Sequence, residues 1–568
     1  MTSAGVDSKP QGISIPVPLP AGPPKRSVAR LVLPGIVLTL VCLVPFLNKG
    51  YTIDDPVFLL AARQILHHPL RPMSYPLCWG AAQQCTDNAG VGFPGNAQGL
   101  MGYLLVPVIL AGRAEWMAHL LQILLACIAV LAMVRLALRF GFDRVQAAVA
   151  GLMLVAIPPF LSMASTAMPD TAALALGLSG IERLLAWKAE RRWHQAVIAS
   201  LALGLAPYAR PHMALLILLG GLWLVNDFRM RDARRQFRLE GYLWLPVLIA
   251  ACILAAVNLL THDPGSVSRA ISVSSASLPS RAWRPIRFEH LPRNLGAYLL
   301  YLSFPIPFAA VWLAMHWRKA PMLLVLPAVS APILHSLLFQ SRSLALAWPM
   351  AAELYGFAAI GSMLHQCVRA WDRIGLLLSL WLLIPFPLII YDHLPIKYLL
   401  AVTPAVVFIL IRNLSILPRR RELSAYGAIV LACAAYSFVL LRADADFAEC
   451  GRRAAAELIK PHVAAGEKVW FGGEWGFYWY AQEAGAKFAK PDEAGPNPGD
   501  LLAVGLMEHG KVTRRRFPKR KLIDSRRYDA PHGRTMGYGA GLYSNFMGYS
   551  LWVWKPETTN DYELWRIE

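Results

Sequence analysis

Apolar segments long enough to cross a bilayer recur along this chain of 568 residues, and they restrict what it can fold into. Backbone polar groups find no water inside a bilayer, so each crossing segment must satisfy them internally as a helix. The chain is 56% hydrophobic and 16% charged, against about 25% charged residues in a typical globular protein. We therefore predict a polytopic α-helical membrane protein with about 13 transmembrane helices. The predicted spans are 31–48, 116–136, 147–162, 170–186, 195–207, 211–226, 241–260, 294–315, 322–340, 344–364, 374–391, 398–413 and 424–441.

The distribution of Lys and Arg predicts how these helices are oriented. With the N-terminus in the cytoplasm, the inner segments hold about twice as many Lys and Arg residues as the outer loops, which is the usual bias of membrane proteins. An odd number of spans then places residues 442–568 outside the cytoplasm. The same loop basicity accounts for most of the net charge of +20, so nucleic acid is not an expected partner.

The chain divides into three predicted parts. Residues 1–30 form a basic, Pro-rich cytoplasmic leader that we expect to be disordered. No small-residue cleavage site follows a short apolar core, so the first span is predicted to remain as an anchor. Residues 31–441 hold the spans and a large first external loop at 49–115. Within this loop, the pattern of 56–68 is typical of a helix lying in the membrane interface.

Residues 442–568 are more polar and are predicted to form a small extracytoplasmic α/β domain with its own core. Helices are predicted at 445–463 and near 474–484, and strands at 468–471, 500–504 and 551–554. Seven of the eleven residues at 470–480 are aromatic; they either pack in the domain core or face sugar rings or the membrane interface. Six cations at 514–521 favour a solvated surface that could touch anionic lipid or an anionic acceptor.

The adjacent acids Asp54 and Asp55 follow the first span. A carboxylate at a membrane surface costs free energy and usually has a task. Pro56 disfavours the α region at Asp55 and is itself favoured as the first helical residue, so Asp55 is predicted to be an N-cap that accepts an amide hydrogen bond. In an extended approach, neighbouring side chains point to opposite sides. Asp54 is then predicted to face a cleft as a reactive base, the alternative being a solvated loop aspartate.

Other charged residues at the predicted outer surface have two interpretations each. Asp170 opens the fourth span, either as a plain N-cap or as a carboxylate that orients a sugar hydroxyl or helps to hold a divalent cation. Arg210 and Lys397, at turns beside spans, either bind a phosphate or extend to lipid headgroups, and Arg342 is a weaker candidate of this kind. His262 either ligates a metal or binds sugar, or it lies in a plain loop.

Two cysteines lie close together in the first external loop, at Cys78 and Cys85. An oxidising compartment would permit a disulfide between them, and so short a ring adds about 2 kcal/mol of stability. The alternative is two free thiols.

Four short motifs occur in a definite order along the chain. They are Asp54-Asp55 after the first span, Met168-Pro-Asp170 at the fourth, Tyr208-Ala-Arg210-Pro, and Lys397-Tyr398-Leu-Leu before a late span. Together they resemble the GT-C superfamily of glycosyltransferases over about residues 30–441, and within it the chain is most similar to family 39 and the bacterial aminoarabinose transferases. The resemblance implies a GT-C fold in a bacterial inner membrane. It also implies transfer of a hexosyl or pentosyl group from a polyprenyl-phosphate donor to a lipid, glycan or protein acceptor on the outer face.

The same resemblance implies roles for individual residues. The first acid of the family's pair is the catalytic one and matches Asp54, whereas the second is usually Glu and is the shorter Asp55 here. The implied catalytic set is Asp54, Asp55 and Asp170, and the implied ligands of substrate or lipid phosphate are Arg210, Lys397, Tyr398, Arg342 and His262. A Mg²⁺ or Mn²⁺ ion is compatible with this chemistry but not demanded, since Arg210 and Lys397 could supply the positive charge. Inversion at the anomeric carbon would follow from a single in-line displacement.

Three other functions fit the same sequence. A transporter or flippase of lipid-linked sugar would show repeat symmetry and midplane charges at broken helices, and neither is clear in the sequence. A glycan ligase or polymerase would use a diphosphate-linked donor. A non-catalytic membrane scaffold would bind glycan through residues 442–568. Membrane lipids are expected partners in each case.

Overall fold

The computed structural model describes residues 25–79, 84–86, 99–224, 241–261, 290–302, 373–391, 393–491, 493, 495–554 and 559–568. Most of the leader 1–30 and the predicted spans at 322–340 and 344–364 lie outside these residues. The candidate binding residues His262 and Arg342 also lie outside them, so their predicted roles stay predictions.

Helices make up most of the described structure. In chain order they are α1 Lys25–Leu43, α2 Asp55–His67, α3 Gly99–Leu110, α4 Glu115–Arg139, α5 Arg144–Ala156, α6 Pro158–Ala164, α7 Asp170–Glu190, α8 Trp193–Ala209, α9 Leu215–Leu224, α10 Leu245–Thr261, α11 Leu291–Leu302, α12 Arg373–Leu382, α13 Thr403–Leu414, α14 Arg419–Ala454, α15 Lys460–Ala464, α16 Trp475–Glu483 and α17 Gly510–Arg516. Short 3₁₀ segments at Val44–Phe46, Pro211–Ala214, Gly241–Trp244, Phe386–Ile390 and Ile396–Val402 extend or join them.

Within the described ranges, five helical stretches are long and apolar enough to cross a membrane. They are Val28–Phe46, Glu115–Arg139, Gly241–Thr261, Ile396–Leu414 and Arg419–Ala464. Helices α5 and α6 make a sixth if they are taken as one span bent by 62°, and the bend falls at Pro158, where a proline interrupts helical hydrogen bonding. An α-helical membrane protein is thus what the structure shows, while the total of about 13 spans stays a prediction.

The long helix α14 does not end where the composition becomes polar. The predicted boundary at 441/442 falls inside it, because the helix runs to Ala454 and continues through a π-helical turn at Ala455–Ile459 into α15. Its polar end is packed closely: a Cβ at Gly451 would lie 2.9 Å from the backbone nitrogen of Phe477. The helical structure predicted at 445–463 is confirmed, but it continues the last apolar helix without a break and joins the apolar region to the C-terminal sheet.

The strands are β1 Leu77–Trp79, β2 Gln84–Thr86, β3 Val469–Gly472, β4 Lys487–Phe488, β5 Leu501–Gly505, β6 Arg520–Asp529, β7 Met536–Gly537, β8 Ala540–Gly541 and β9 Thr559–Ile567. Five of them form a mixed sheet in the order β4-β3-β5-β9-β6. Strand β3 is parallel to both of its neighbours, and β9 is antiparallel to β5 and β6. The strands predicted at 468–471 and 500–504 are confirmed within one residue. The strand predicted at 551–554 is wrong, because Val553 makes only an isolated bridge to Arg534.

Helix α16 holds most of the aromatic segment and joins the sheet to the membrane region. Its Trp475, Phe477, Tyr478 and Trp479 are buried, so the packing interpretation of this segment is the one the structure supports. The hydroxyl of Tyr480 accepts a hydrogen bond of 2.8 Å from the N–H of Tyr51, in the loop after the first span. Helix α16 of the C-terminal region is thereby fixed against the loop that leads to Asp54.

The close approach of α16 to this loop makes a testable prediction about Gly476. A Cβ at Gly476 would lie 2.1 Å from the carbonyl oxygen of Tyr51, so Gly476→Ala should destabilise the protein by roughly 1–3 kcal/mol through overpacking. The matched control is Gly427→Ala in α14, where nothing lies within 4 Å and alanine favours the helix by about 1 kcal/mol. Thermal unfolding in detergent, followed by tryptophan fluorescence, should give a lower midpoint for Gly476→Ala alone. Equal midpoints would contradict the packing described.

Candidate active site

The loop between the first span and α2 delivers Asp54 in an uncommon backbone conformation. Ile53 has a φ of 42°, although β-branched residues rarely occupy positive φ. Asp54 itself has φ −82° and ψ 0°, so the extended approach predicted for it is wrong. Residues held in such conformations persist only where their surroundings enforce them, and they cluster at functional sites.

Asp55 is the first residue of α2 and not its N-cap, so the predicted capping role is wrong. Asp54 occupies the N-cap position, and Pro56 is the second helical residue. The fully buried Asp55 carboxylate instead accepts the N–H of Thr52 at 2.9 Å and the N–H of Ala167 at 2.8 Å. Asp55 therefore joins the 49–55 loop to the segment that leads to Asp170.

Asp54 forms an ion pair with Lys397, whose Nζ lies 2.6 Å from Asp54 Oδ2. The Lys397 side chain is 2% exposed and that of Asp54 is 18% exposed. The Sδ atom of Met168 lies 3.9 Å from the same Nζ. The ammonium is thus enclosed by protein, while Asp54 keeps an edge that a second group can reach.

Asp170 and Arg210 form a second, bidentate ion pair. Arg210 Nε lies 2.9 Å from Asp170 Oδ1, and Arg210 Nη2 lies 2.5 Å from Asp170 Oδ2. Helices α7 and α8 form an antiparallel hairpin, which brings the start of α7 at Asp170 beside the end of α8 at Arg210. Both side chains are buried. The plain N-cap interpretation of Asp170 is wrong, since Pro169 is the cap residue.

The aromatic ring of Tyr398 lies between the two cations. Its centroid is 5.3 Å from Arg210 Cζ and 5.8 Å from Lys397 Nζ. His212 and His393 pack against the same ring, with centroid distances of 6.0 and 6.3 Å. The structure thus brings together, around Asp54 and Asp170, the predicted catalytic and ligand-binding residues that it describes.

Electrostatics keep this cluster in a defined charge state. Burial would raise the pKa of Asp54, but the charges of Lys397 and Arg210 hold it below its usual value. Burial and the nearby Lys397 lower the pKa of His393 to about 3, so its imidazole is neutral. Sequence reasoning did not select His393, although it lies in the turn that leads to Lys397.

A second buried network lies next to the cluster and was missed from the sequence. Lys49 Nζ lies 2.5 Å from Asp444 Oδ2, with both side chains at most 1% exposed. Asp444 also accepts the hydroxyls of Tyr543, at 2.6 Å, and Thr535, at 3.1 Å. The one available sequence signal was a lysine directly after an apolar span, which is common at membrane surfaces.

The remaining candidates concern a disulfide and a metal. Cys78 is disulfide-bonded and lies opposite Cys85 where β1 pairs with β2, so the disulfide is the one of the two alternatives from the sequence that the structure supports. Among the residues that the structure describes, no group of three or more His, Cys, Asp or Glu side chains could hold a metal ion.

A small crevice with a mostly apolar lining lies between Ile157, Pro159, Tyr301, Leu399, Val402, Thr403 and Val406. Its volume is about 10 Å³, roughly the space that one water molecule needs.

Two solved structures are similar to this fold. The structure of ArnT from Cupriavidus metallidurans bound to undecaprenyl phosphate matches 88% of this chain and 96% of its own, with 15% identity and a TM-score of 0.40. The structure of arabinosyltransferase EmbB from Mycobacterium smegmatis matches 74% of this chain at 16% identity and a TM-score of 0.35. This chain covers 41% of that longer protein.

The sequence matches no protein-family profile and no curated protein. Because both TM-scores are below 0.5, the function proposed below rests on the geometry of the site.

The buried carboxyl of Asp55 should make stability depend on pH. Burial is the largest influence and raises the pKa of Asp55 to about 7, and Asp444 acts in the same direction against Lys49. An unfolded aspartate titrates near 3.9, so between about pH 4 and 7 the native state binds more protons and loses stability as pH rises. In Asp55→Asn this contribution is removed, and the midpoint of thermal unfolding should vary less between pH 4 and 7. Parallel pH profiles for the two proteins would rule out a raised pKa at Asp55.

Proposed function

We propose that this protein is an inverting glycosyltransferase that moves a sugar from a polyprenyl-phosphate donor to an acceptor on the outer face of a bacterial inner membrane. The observation that supports this best is the assembly of Asp54, Lys397, Asp170 and Arg210 in one cluster. Transfer from a lipid phosphate requires a base for the acceptor hydroxyl and cations for the leaving phosphate. The cluster contains both kinds of group within one buried site.

The donor phosphate is proposed to bind at Arg210 and Lys397. Asp170 holds the Arg210 guanidinium by two contacts, which fixes the plane of its donors.

The proposed chemical step is one in-line displacement at the anomeric carbon. The acceptor oxygen forms a bond to that carbon on the face opposite the phosphate, and the carbon–oxygen bond to phosphate breaks with its electron pair staying on the phosphate. Asp54 takes the hydroxyl proton as the new bond forms, because a carboxylate is too weak a base to remove it beforehand. Arg210 and Lys397 neutralise the charge that grows on the leaving phosphate.

Donor binding is proposed to free Asp54 from Lys397, so that Asp54 can act as the base. Lys397 holds Asp54 at 2.6 Å, which makes the carboxylate a weaker base. The donor phosphodiester carries one negative charge, as the carboxylate does, and a second charge grows on the phosphate as its bond to the sugar breaks, so the phosphate competes increasingly for the same ammonium. As Lys397 turns to the phosphate, Asp54 is released toward the acceptor, whereas Arg210 keeps its bidentate contact with Asp170. One cation exchanges partners and the other stays fixed.

Exchanging Asp54 for asparagine should remove the base without changing the size of the side chain. We expect Asp54→Asn to lose transfer by about 10²–10⁴-fold, the usual contribution of a general base. The matched control is Asp55→Asn, the same change at the next residue, which should lose less because Asp55 does not face the substrate. The assay offers a panel of polyprenyl-phosphate hexoses and pentoses to membranes containing each protein, and mass spectrometry identifies the lipid product.

The same assay separates the rival functions. A polyprenyl monophosphate product supports the proposal, and a diphosphate product favours a ligase or polymerase. Uptake or binding of the lipid-linked sugar without bond cleavage favours a transporter. Full activity in Asp54→Asn at matched expression would falsify the role of Asp54.

If Lys397 exchanges partners in this way, Asp54→Asn should strengthen the binding of the lipid although it weakens transfer. Asp54→Asn leaves the enclosed Lys397 ammonium without its carboxylate, which is costly in a buried position, so a polyprenyl monophosphate should bind at least about tenfold more tightly. Asp170→Asn should bind it more weakly, because Arg210 loses the contacts that orient it. Fluorescence quenching with a labelled polyprenyl monophosphate in nanodiscs measures both. Failure of the wild-type protein to bind argues against the donor class, and equal affinity of Asp54→Asn and wild type argues against the exchange.

A further inference from the structure

Two buried side chains join the loop that carries Asp54 to the segment that ends at Asp170. Lys49 Nζ lies 3.0 Å from the carbonyl oxygen of Ser165 and 3.2 Å from its hydroxyl, and Asp55 accepts the N–H of Ala167. Lys49 precedes Asp54 by five residues, and Ser165 precedes Asp170 by five. The two cross-links therefore fix one loop against the other on both sides of the strained Ile53.

The Lys49 cross-link depends on a residue of the last membrane helix and on the C-terminal segment. Asp444 of α14 balances the lysine charge at 2.5 Å. Tyr543 and Thr535, on either side of the β7–β8 pair, donate their hydroxyls to the Asp444 carboxylate. All of these side chains are buried, so the C-terminal segment completes the surroundings of a charge that lies next to the candidate active site.

We infer that Lys49, Asp444 and Tyr543 are positioning residues, which set Asp54 relative to the Asp170–Arg210 pair without touching substrate. The inference rests on the proposed function. A buried ion pair is a poor source of stability, since apolar residues of the same size often do as well. Its location between the two loops that carry the reacting groups favours a geometric role, because displacing a catalytic group by about 1 Å can cost a hundredfold in rate. Residues 535–543 of the C-terminal segment are then needed for the geometry of the active site.

The test removes both buried charges together, in Lys49→Met with Asp444→Asn. No unpaired charge is left, so the protein should fold with nearly unchanged stability. Arg210 and Lys397 are intact, so the affinity for a labelled polyprenyl monophosphate should stay within about twofold of wild type. The kcat of transfer per lipid-binding site should fall at least about tenfold, with the donor KM nearly constant, as expected for a misplaced base.

The control is the buried pair Arg139–Glu182, with Nε 2.8 Å from Oε1, which lies away from the cluster. Glu182 also pairs with Arg135 and Arg183, and Arg139 with Glu190, so Arg139→Met with Glu182→Gln disturbs more buried charge than the test variant does. It should nevertheless leave kcat per binding site unchanged. Wild-type kcat in the Lys49–Asp444 double variant would overturn the inference. Absence of lipid binding or transfer by the wild-type protein would instead count against the proposed function.

A smaller change keeps the test decisive if the double variant does not fold. Tyr543→Phe deletes only the hydroxyl that reaches Asp444 and leaves every charge in place. We expect kcat per binding site to fall about three- to tenfold, as for loss of one hydrogen bond to a charged group, at constant affinity for the polyprenyl monophosphate. An unchanged kcat in Tyr543→Phe, in protein that binds the lipid normally, would equally overturn the inference.

Discussion

Burying four charges at the ends of apolar helices requires that each meet an opposite charge, because an unpaired ion in a low-dielectric interior costs several kcal/mol. Lys397 meets Asp54, and Arg210 meets Asp170. These partners come from the loop before α2, the two ends of the α7–α8 hairpin, and the 3₁₀ segment before α13. The pairing requirement therefore brings distant parts of the chain to one place, and the shape of the candidate site follows from it.

The sequence allowed the members of this cluster to be predicted but not their pairing. A charged residue beside an apolar span can be recognised from its neighbours in the sequence. Its partner cannot, because Asp54 and Lys397 are 343 positions apart and only the folded chain brings them together. Lys49 and Asp444 resemble ordinary residues at a span end and in a polar stretch, and their burial depends on the C-terminal segment. The N-cap prediction for Asp55 relied on the local preferences around Pro56, which the tertiary hydrogen bond from Ala167 overrides.

The fold shows the same division between local and tertiary information. Apolar spans and the short strands β3 and β5 were predictable because hydrophobicity marks them. The edge strand β6 is rich in exposed charge and resembles a solvated loop, and its register comes from pairing with β9. The change of composition at 441/442 marks where the surroundings of α14 change and not where the helix ends. Packing against α16 keeps the polar turns helical.

The two ion pairs of the cluster differ in a way that suits the proposed chemistry. The Asp170–Arg210 pair is bidentate and enclosed. A phosphate is therefore expected to bind the guanidinium in the orientation that Asp170 gives it, with the ion pair intact. The Asp54–Lys397 pair is formed through one carboxylate oxygen and has an exposed edge, so the phosphate can displace the carboxylate as its charge grows from one to two during transfer. Charges that are paired in this way can be buried at the membrane border at little cost in free energy. The donor's own charge would then convert the cluster into a site with a free base and two engaged cations.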